Sequence, residues 1–258
     1  MTGPTSLGNS PARPRVAVVI PTLNEEEAIG GVVAAIPPGL ADRVIVADSG
    51  STDRTVQRAR AAGADIVSET RPGYGRACHA GGAAAGDCDI IVFLDGDGSD
   101  CPELMPLLVE PVASGEYDFA IGSRARGERE PGSMSAHQLL AGYVFGAAVR
   151  LLYGVNYTDM GAFRAIRREA LIRLGMREMT YGWNLEMQMR AARMGLRVLE
   201  VPVAHRRRAG GVSKVSGSLK GTIKASWRIA LTFARIALER KPPPASQPEE
   251  ASAGKGAR

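Results

Sequence analysis

Apolar residues along the first half of the chain come in short unbroken blocks, each followed by a polar turn and then by a stretch of helical periodicity. "VAVVI" (Val16 to Ile20) precedes "NEEEAIGGVVAAI", "RVIVAD" (Arg43 to Asp48) precedes "STDRTVQRARAAG", "ADIVSE" precedes "GYGRACHAGGAAAG", and "DIIVFL" precedes "CPELMPLLVEPVASG". "YDFAIGSR" follows, and "LRVLEVPV" reads as a later strand. Blocks of strand length alternating with amphipathic stretches predict βα units. In the first of these, Asn24 is placed as an N-cap with Glu25, Glu26 and Glu27 in the first helical turn. Strands that are apolar throughout are buried on both faces, so the expected fold is α/β, a mostly parallel sheet with helices on both faces.

Ligands of such sheets lie beyond the carboxyl ends of the strands. The residues found there are Pro21, Thr22, Asn24 and Glu25 after the first strand and Asp48 and Ser49 after the second. Asp95, Gly96 and Asp97 follow the fourth, and Ser123 and Arg124 end the fifth. All are expected to converge on one crevice. Asp95 and Asp97 stand two apart, so in an extended backbone they project to the same side and repel unless neutralised. Mg²⁺ or Mn²⁺ held by one or two carboxylates and by substrate phosphates meets that need. A solvated Asp/Gly turn is the alternative for "DGDGSD" taken alone. A calcium-binding EF-hand loop is excluded, because its glycine would fall on Asp100 and its last glutamate on Pro106.

A chain of 258 residues with 45% hydrophobic content is long enough for one large α/β domain. Its formal charge of +5 admits nucleic acid, anionic lipid or a phosphorylated substrate as partner. The excess lies late: from His205 to Lys241 there are ten lysines and arginines against one acid, Glu239. Mixed with them are Leu219, Ile223, Trp227, Leu231 and Phe233, which makes a basic amphipathic segment of the kind that lies in the interface of anionic bilayers. The expected organisation is a disordered leader over 1–14, one catalytic domain over 15–216, a basic amphipathic helix over 217–240 and a disordered tail over 241–258. Arg150 and Arg235 interrupt the longest apolar runs, so none reaches the roughly 18 residues that span a bilayer. Cys78, Cys88 and Cys101 have no paired spacing, which argues against disulfides or structural zinc and for a reducing cytosol. A peripheral position on the cytoplasmic face of a membrane is therefore expected. The helix read from His137 to Gly154 is assigned to core packing, with added membrane contact as the alternative. His137 and His205 carry no metal-ligand spacing, and His79 reads as a packing residue.

Several stretches in order carry a family likeness. "PTLNEEE", "ADSGSTDRT", "FLDGDGSD", "GSRARG", "DMGAFRAIRREAL", "YGWNLEMQMRAARMGLRVLEVPV" and "RAGGVSK" together resemble the family 2 glycosyltransferases of the GT-A (Rossmann-like) fold. Within that family they look like the dolichol-phosphate mannose synthases and their bacterial polyprenyl-phosphate relatives, over roughly Val16 to Lys214. The resemblance implies an inverting hexosyltransferase that takes a sugar from a GDP- or UDP-sugar to a polyprenyl phosphate. It puts Asp48 at the base-contacting aspartate, Glu25 near base and ribose with Pro21 and Thr22, and Asp95 and Asp97 around Gly96 as the cation-binding D-x-D. Ser49 stands where a second acid is usual, and Leu23 where an aromatic is frequent. Arg124, Arg208 and Lys214 fall on basic positions suited to the charge that develops on the departing diphosphate. "GGVSK" is glycine-rich enough to close over phosphate, although "HRRRAGG" also reads as a solvated basic loop.

An alcohol acceptor needs a general base, for which Asp159 and Glu186 are the candidates. A phosphomonoester, with a second pKa of about 6, is already a nucleophile. Glu186 is also spaced to pair with Arg190 at i+4. A glycosyltransferase acting on a soluble hydroxyl is one alternative, and a nucleotide- or nucleic-acid-binding protein without catalysis is another, although no nucleic acid partner is expected. An NAD-linked dehydrogenase is disfavoured because "PTLNEE" stands where G-x-G-x-x-G belongs.

Overall fold

The computed structural model describes residues 13–210 and 219–239. Seven strands form one sheet among them: β1 (Val16–Thr22), β2 (Arg43–Asp48), β3 (Asp65–Ser68), β4 (Ile90–Phe93), β5 (Phe119–Ser123), β6 (Arg164–Arg167) and β7 (Val198–Pro202). Their order is β3-β2-β1-β4-β6-β5-β7. The helices are α1 (Ile29–Ala34), α2 (Thr55–Ala61), α3 (Tyr74–Ala84), α4 (Pro106–Ala113), α5 (Ala136–Tyr153), α6 (Arg168–Leu174), α7 (Trp183–Arg193) and α8 (Leu219–Leu238). Each face of the sheet carries its own apolar core. One gathers Phe93, Phe119, Trp183 and Met187, and the other Ile20, Ile29, Leu108 and Phe163. β1, β4 and β5 are buried along their whole length, as their apolar composition requires, while the edge strands β3 and β7 are partly exposed.

β6 has no counterpart among the strands read from the sequence. It is only "RAIR", and it runs antiparallel to both β4 and β5. Its first residue, Arg164, is fully buried, with the guanidinium donating to the carbonyls of Ala162, Asn184 and Gly161. Three backbone acceptors take the place of water, so an arginine is tolerated where periodicity expects an apolar residue.

The first helix also starts later than expected. It begins at Ile29 with Ala28 as N-cap, and its first turn contains no acid. Asn24 instead adopts a left-handed backbone with φ 52°. Its Oδ1 accepts the Thr52 N–H at 2.8 Å, its own N–H donates to Ser51 Oγ at 2.8 Å, and the Glu25 N–H donates to Thr55 Oγ1. These polar groups lace the loop after β1 to the loop after β2 rather than cap a helix.

α5 follows the expected span, with a capping box of Ser135 and Gln138 at its start and Gly154 at φ 76° at its end. Phe145 and Val149 pack inward, while Leu140, Val144 and Leu151 are exposed. α8 packs onto α7 and the core rather than standing apart from the domain: Thr232 and Ile236 are buried, and Phe233 meets Phe145 edge-on at 6.4 Å. Trp227, Leu231 and Leu238 remain exposed on its outer side. No helix of the described residues is long and apolar enough to cross a membrane.

Candidate active site

β1 lies between β2 and β4, and a crevice of about 360 Å³ opens beyond the carboxyl ends of these strands. This is where open α/β sheets bind ligands. Pro21, Thr22, Glu25, Ser49, Asp95, Gly96, Asp97 and Arg208 all line it. Tyr74 of α3 and Ile229 of α8 complete its walls, so the C-terminal helix is part of the site.

Thr22 and Asp48 are register partners at the ends of β1 and β2. Asp48 Oδ2 accepts the N–H groups of Gly50 and Ser51 at 3.1 and 3.0 Å. Asp48 Oδ1 and Thr22 Oγ1 are buried and have no hydrogen-bond partner. Two adjacent polar atoms stripped of water and left unpaired are costly, and a ligand that pairs them recovers that cost.

The acidic turn differs from the extended geometry expected of it. β4 ends at Phe93, and Asp95 to Gly98 form a turn, with Gly98 at φ 78°. Both carboxylates still face the crevice. Asp97 Oδ1 accepts the N–H and Oγ of Ser99 at 2.9 and 2.6 Å. Asp95 Oδ1 accepts the Tyr74 hydroxyl at 3.1 Å, and the Asp95 N–H donates to Asp100 Oδ2 at 2.9 Å. Burial, then Asp100, then Asp97 push the Asp95 carboxyl up to about 8. Burial likewise raises Asp100, to about 6.

The segment after β7 is zipped to this turn. Ala209 N–H donates to the Asp97 carbonyl and Arg206 N–H to the Ser99 carbonyl. Arg208 thereby reaches Glu25 with bonds of 2.9 and 3.0 Å to its two oxygens, and stands 3.5 Å from Asp97 Oδ2. His205 is buried with Nδ1 unpartnered, 3.8 Å from Asp100 Oδ1. Burial and the Arg124 charge press it down to about 4, so it is neutral near pH 7. Lys214 lies outside the described residues.

Arg124 stands behind the turn. It forms a two-pronged pair with Asp159 at 2.7 and 2.8 Å, and Asp159 also accepts the N–H groups of Arg124 and Met160. Burial alone would raise the Asp159 carboxyl, but the Arg124 contacts outweigh it and hold the group below its ordinary value. Glu186 is placed elsewhere. Fully buried, it accepts from Arg190 and Arg235 at 2.9 and 3.0 Å and from the N–H groups of Arg177 and Glu178. Its i+4 pairing with Arg190 is thus what the structure contains. Both oxygens of each acid are thus occupied by donors.

Tyr74 in the crevice wall, and Asp100 and His205 buried behind the acidic turn, are the residues that sequence reasoning passed over. Tyr74 sits between two glycines at the start of a stretch read simply as helix. Asp100 was in view as the third acid of "DGDGSD". His205 has no spacing signal, because only the pairing of its segment with Asp100 brings it in.

Asp95 and Asp97 fit a divalent cation. Among the described residues no three His, Cys, Asp or Glu side chains converge to hold a metal unaided. One or two carboxylates plus phosphate oxygens is the arrangement hard cations adopt with nucleotides. The Asp95 carboxyl is raised by burial and then by its acidic neighbours Asp100 and Asp97, and a bound cation offsets both.

Comparison with known proteins agrees with this geometry. The model of the family described as glycosyl transferase family 2 matches residues 17–175. An uncharacterised glycosyltransferase of Mycobacterium tuberculosis is 41% identical over 212 residues, 81% of this chain and 94% of its own length. An undecaprenyl-phosphate mannosyltransferase of Micrococcus luteus is 33% identical over 228 residues, covering 80% of this chain and 90% of the relative. The crystal structure of glucosyl-3-phosphoglycerate synthase from Mycobacterium tuberculosis, in complex with Mn²⁺, UDP and glucosyl-3-phosphoglycerate, superposes with a TM-score of 0.70 at 29% identity, covering 87% of this chain and 80% of that one.

Two outcomes follow from the charge arrangement. Glu186→Gln leaves Arg190 and Arg235 short of a buried partner, so urea unfolding is expected to show a loss of about 3 kcal/mol. Wild-type stability with a collapsed transfer rate would restore Glu186 as a general base. Asp95 is raised in the folded state from its ordinary 3.8 to about 8, so the folded protein holds the extra proton and stability falls as pH rises across that window. In metal-free buffer Asp95→Asn is expected to melt about 3 °C above wild type at pH 8, with the gap closing by about pH 4, near the ordinary carboxyl value. Equal melting at both values would contradict the raised Asp95 carboxyl.

Proposed function

Because the chain belongs to glycosyl transferase family 2, we propose that it transfers a hexose, with inversion, from a UDP-sugar to a polyprenyl phosphate at an anionic membrane surface. The observation that carries this reading is the meeting of two unsatisfied groups at one crevice. Thr22 Oγ1 and Asp48 Oδ1 are buried without hydrogen-bond partners, and Asp95 and Asp97 have between them one ion-pair partner among the described residues, Arg208 at 3.5 Å from Asp97 Oδ2. They adjoin: a Cβ on Gly96 would stand 2.7 Å from Thr22 Cγ2.

Each group selects part of the donor. Asp48 Oδ1 accepts a base N–H while the Thr22 hydroxyl donates to a neighbouring carbonyl, which matches the N–H and flanking carbonyls of uracil. Guanine presents two adjacent donors and asks for both carboxylate oxygens, but Asp48 Oδ2 is taken by Gly50 and Ser51. UDP in the related synthase structure supports the same choice. Pro21, Ser49 and Glu25 border base and ribose. Asp95 and Asp97, with Gly96 between them, would hold Mg²⁺ or Mn²⁺ against the diphosphate, and that ion supplies charge neutralisation to the leaving group. Arg208, anchored on Glu25 beside Asp97, adds positive charge on the same side. Lys214 is assigned the same task on sequence grounds. Arg124 acts from behind, where its charge steadies Asp95 and Asp100.

The acceptor follows from what the site does not offer. Asp159 and Glu186 are both committed to arginines, so an acceptor that needs a base finds none in them. A phosphate monoester needs none. The apolar outer sides of α8 and α5, with Arg228 and Arg235 exposed nearby, suit the surface of an anionic bilayer. This supports peripheral attachment at the cytoplasmic face. The second reading is a soluble acceptor such as a phosphoglycerate, favoured by the likeness to the synthase structure.

Transfer from labelled UDP-hexoses decides between them. With Mn²⁺ and vesicles containing undecaprenyl phosphate, label is expected in the lipid fraction. EDTA should stop the reaction, and Asp97→Ala should lower its rate roughly 100-fold or more. Transfer to phosphoglycerate with none to lipid phosphate would overturn the acceptor assignment, and efficient use of GDP-hexoses would overturn the base.

A further inference from the structure

The Gly73, Tyr74 and Gly75 segment that opens α3 is pressed against the loop between α6 and α7. A Cβ on Gly73, at φ +147°, would stand 2.3 Å from the Met179 carbonyl oxygen, and one on Gly75 2.4 Å from that of Glu178. Free of side chains, the turn comes close enough for the N–H groups of Gly75 and Arg76 to donate to the carbonyls of Thr180 and Met179, at 3.2 and 3.0 Å. The first N–H groups of a helix have no partner within it, so these bonds dock α3 at a fixed place. The receiving loop is itself fixed. Glu178 accepts the N–H of Thr180 and the hydroxyl of Thr232 on α8, and Glu186 accepts the N–H groups of Arg177 and Glu178.

Tyr74 is thereby set in the crevice wall with its hydroxyl on Asp95 Oδ1 at 3.1 Å. Asn184 lines the crevice beside it. A phenol has one proton, and here it is given to the carboxylate. The two acids of the turn are then treated alike. Ser99 ties Oδ1 of Asp97 and Tyr74 ties Oδ1 of Asp95, while the second oxygen of Asp97 stands 3.5 Å from Arg208 and that of Asp95 has no hydrogen bond or ion pair among the described residues.

We propose that Tyr74 is a positioning residue for Asp95, fixing one carboxylate oxygen so that the other meets the divalent cation of the donor complex. It takes no part in proton transfer. The role rests on the reading of Asp95 and Asp97 as the cation site. Hydrogen bonds to charged groups are among the stronger ones, so losing this one is felt as a weaker grip on the metal.

Tyr74→Phe keeps the ring and removes the bond. Mn²⁺ binding in the presence of UDP, followed by the loss of the free-ion paramagnetic resonance signal, is expected to weaken about tenfold or more. UDP binding in EDTA should stay at the wild-type value. Asp95→Asn serves as the reference and should weaken Mn²⁺ at least as much. Wild-type Mn²⁺ affinity in Tyr74→Phe, with Asp95→Asn impaired, would overturn the role of Tyr74 alone. Loss of UDP binding in EDTA would make the ring a wall and nothing more, which also overturns it. If wild type binds no Mn²⁺ with UDP, or Asp95→Asn binds it normally, the cation site itself fails and this role with it.

Discussion

Three carboxylates in one six-residue turn repel one another, and much of the structure around Asp95, Asp97 and Asp100 exists to contain that repulsion. Arg124 faces the turn from the core side, itself locked on Asp159. Arg208 faces it from the crevice, locked on Glu25. Ser99, Tyr74 and the Asp95 backbone each tie an oxygen. The containment is incomplete: burial first, then Asp100 and Asp97, holds Asp95 far above its ordinary value. A site left short of one positive charge in this way is prepared for a cation that arrives with its substrate.

The same constraint explains where chemistry is absent. Asp159 and Glu186 look in the sequence like acids available for proton transfer. In the fold they are counter-ions: Asp159 keeps Arg124 aimed at the turn, and Glu186 joins α7 to α8 through Arg190 and Arg235. α8 is consequently a structural member of the crevice as well as an amphipathic helix with apolar residues exposed on its outer side. Ile229 lines the site, and Thr232 holds the loop that receives α3. Contact with a bilayer at Trp227 and Leu231 would act a few residues from the donor.

The centre of the sheet was legible because β1, β4 and β5 are buried along their whole length and therefore written as largely apolar blocks. β6 was not, since four residues bracketed by arginines carry no such mark and Arg164 depends on carbonyls supplied from elsewhere in the chain. The gathering of Thr22, Asp95 and Asp97 at one crevice was also legible, because strand ends in an α/β sheet share one edge. The reason offered for Asp95 and Asp97 was incomplete: they meet through a turn. Asn24 has the composition of a cap, but a cross-loop partner took its side chain. Tyr74 carries its signal in the flanking glycines, whose meaning appears only once the 178–180 loop is seen against them. The periodicity of α8 announced an amphipathic helix without saying that its inner face would pack on α7.

The central claim is that cation and nucleotide share a single charge-balanced site, so their binding must be coupled equally in both directions. Calorimetric titration of the full chain with UDP, with and without Mn²⁺, and with Mn²⁺, with and without UDP, closes that cycle. The account predicts that each ligand tightens the other by the same factor, about tenfold or more. Identical UDP affinity in Mn²⁺ and in EDTA would contradict it.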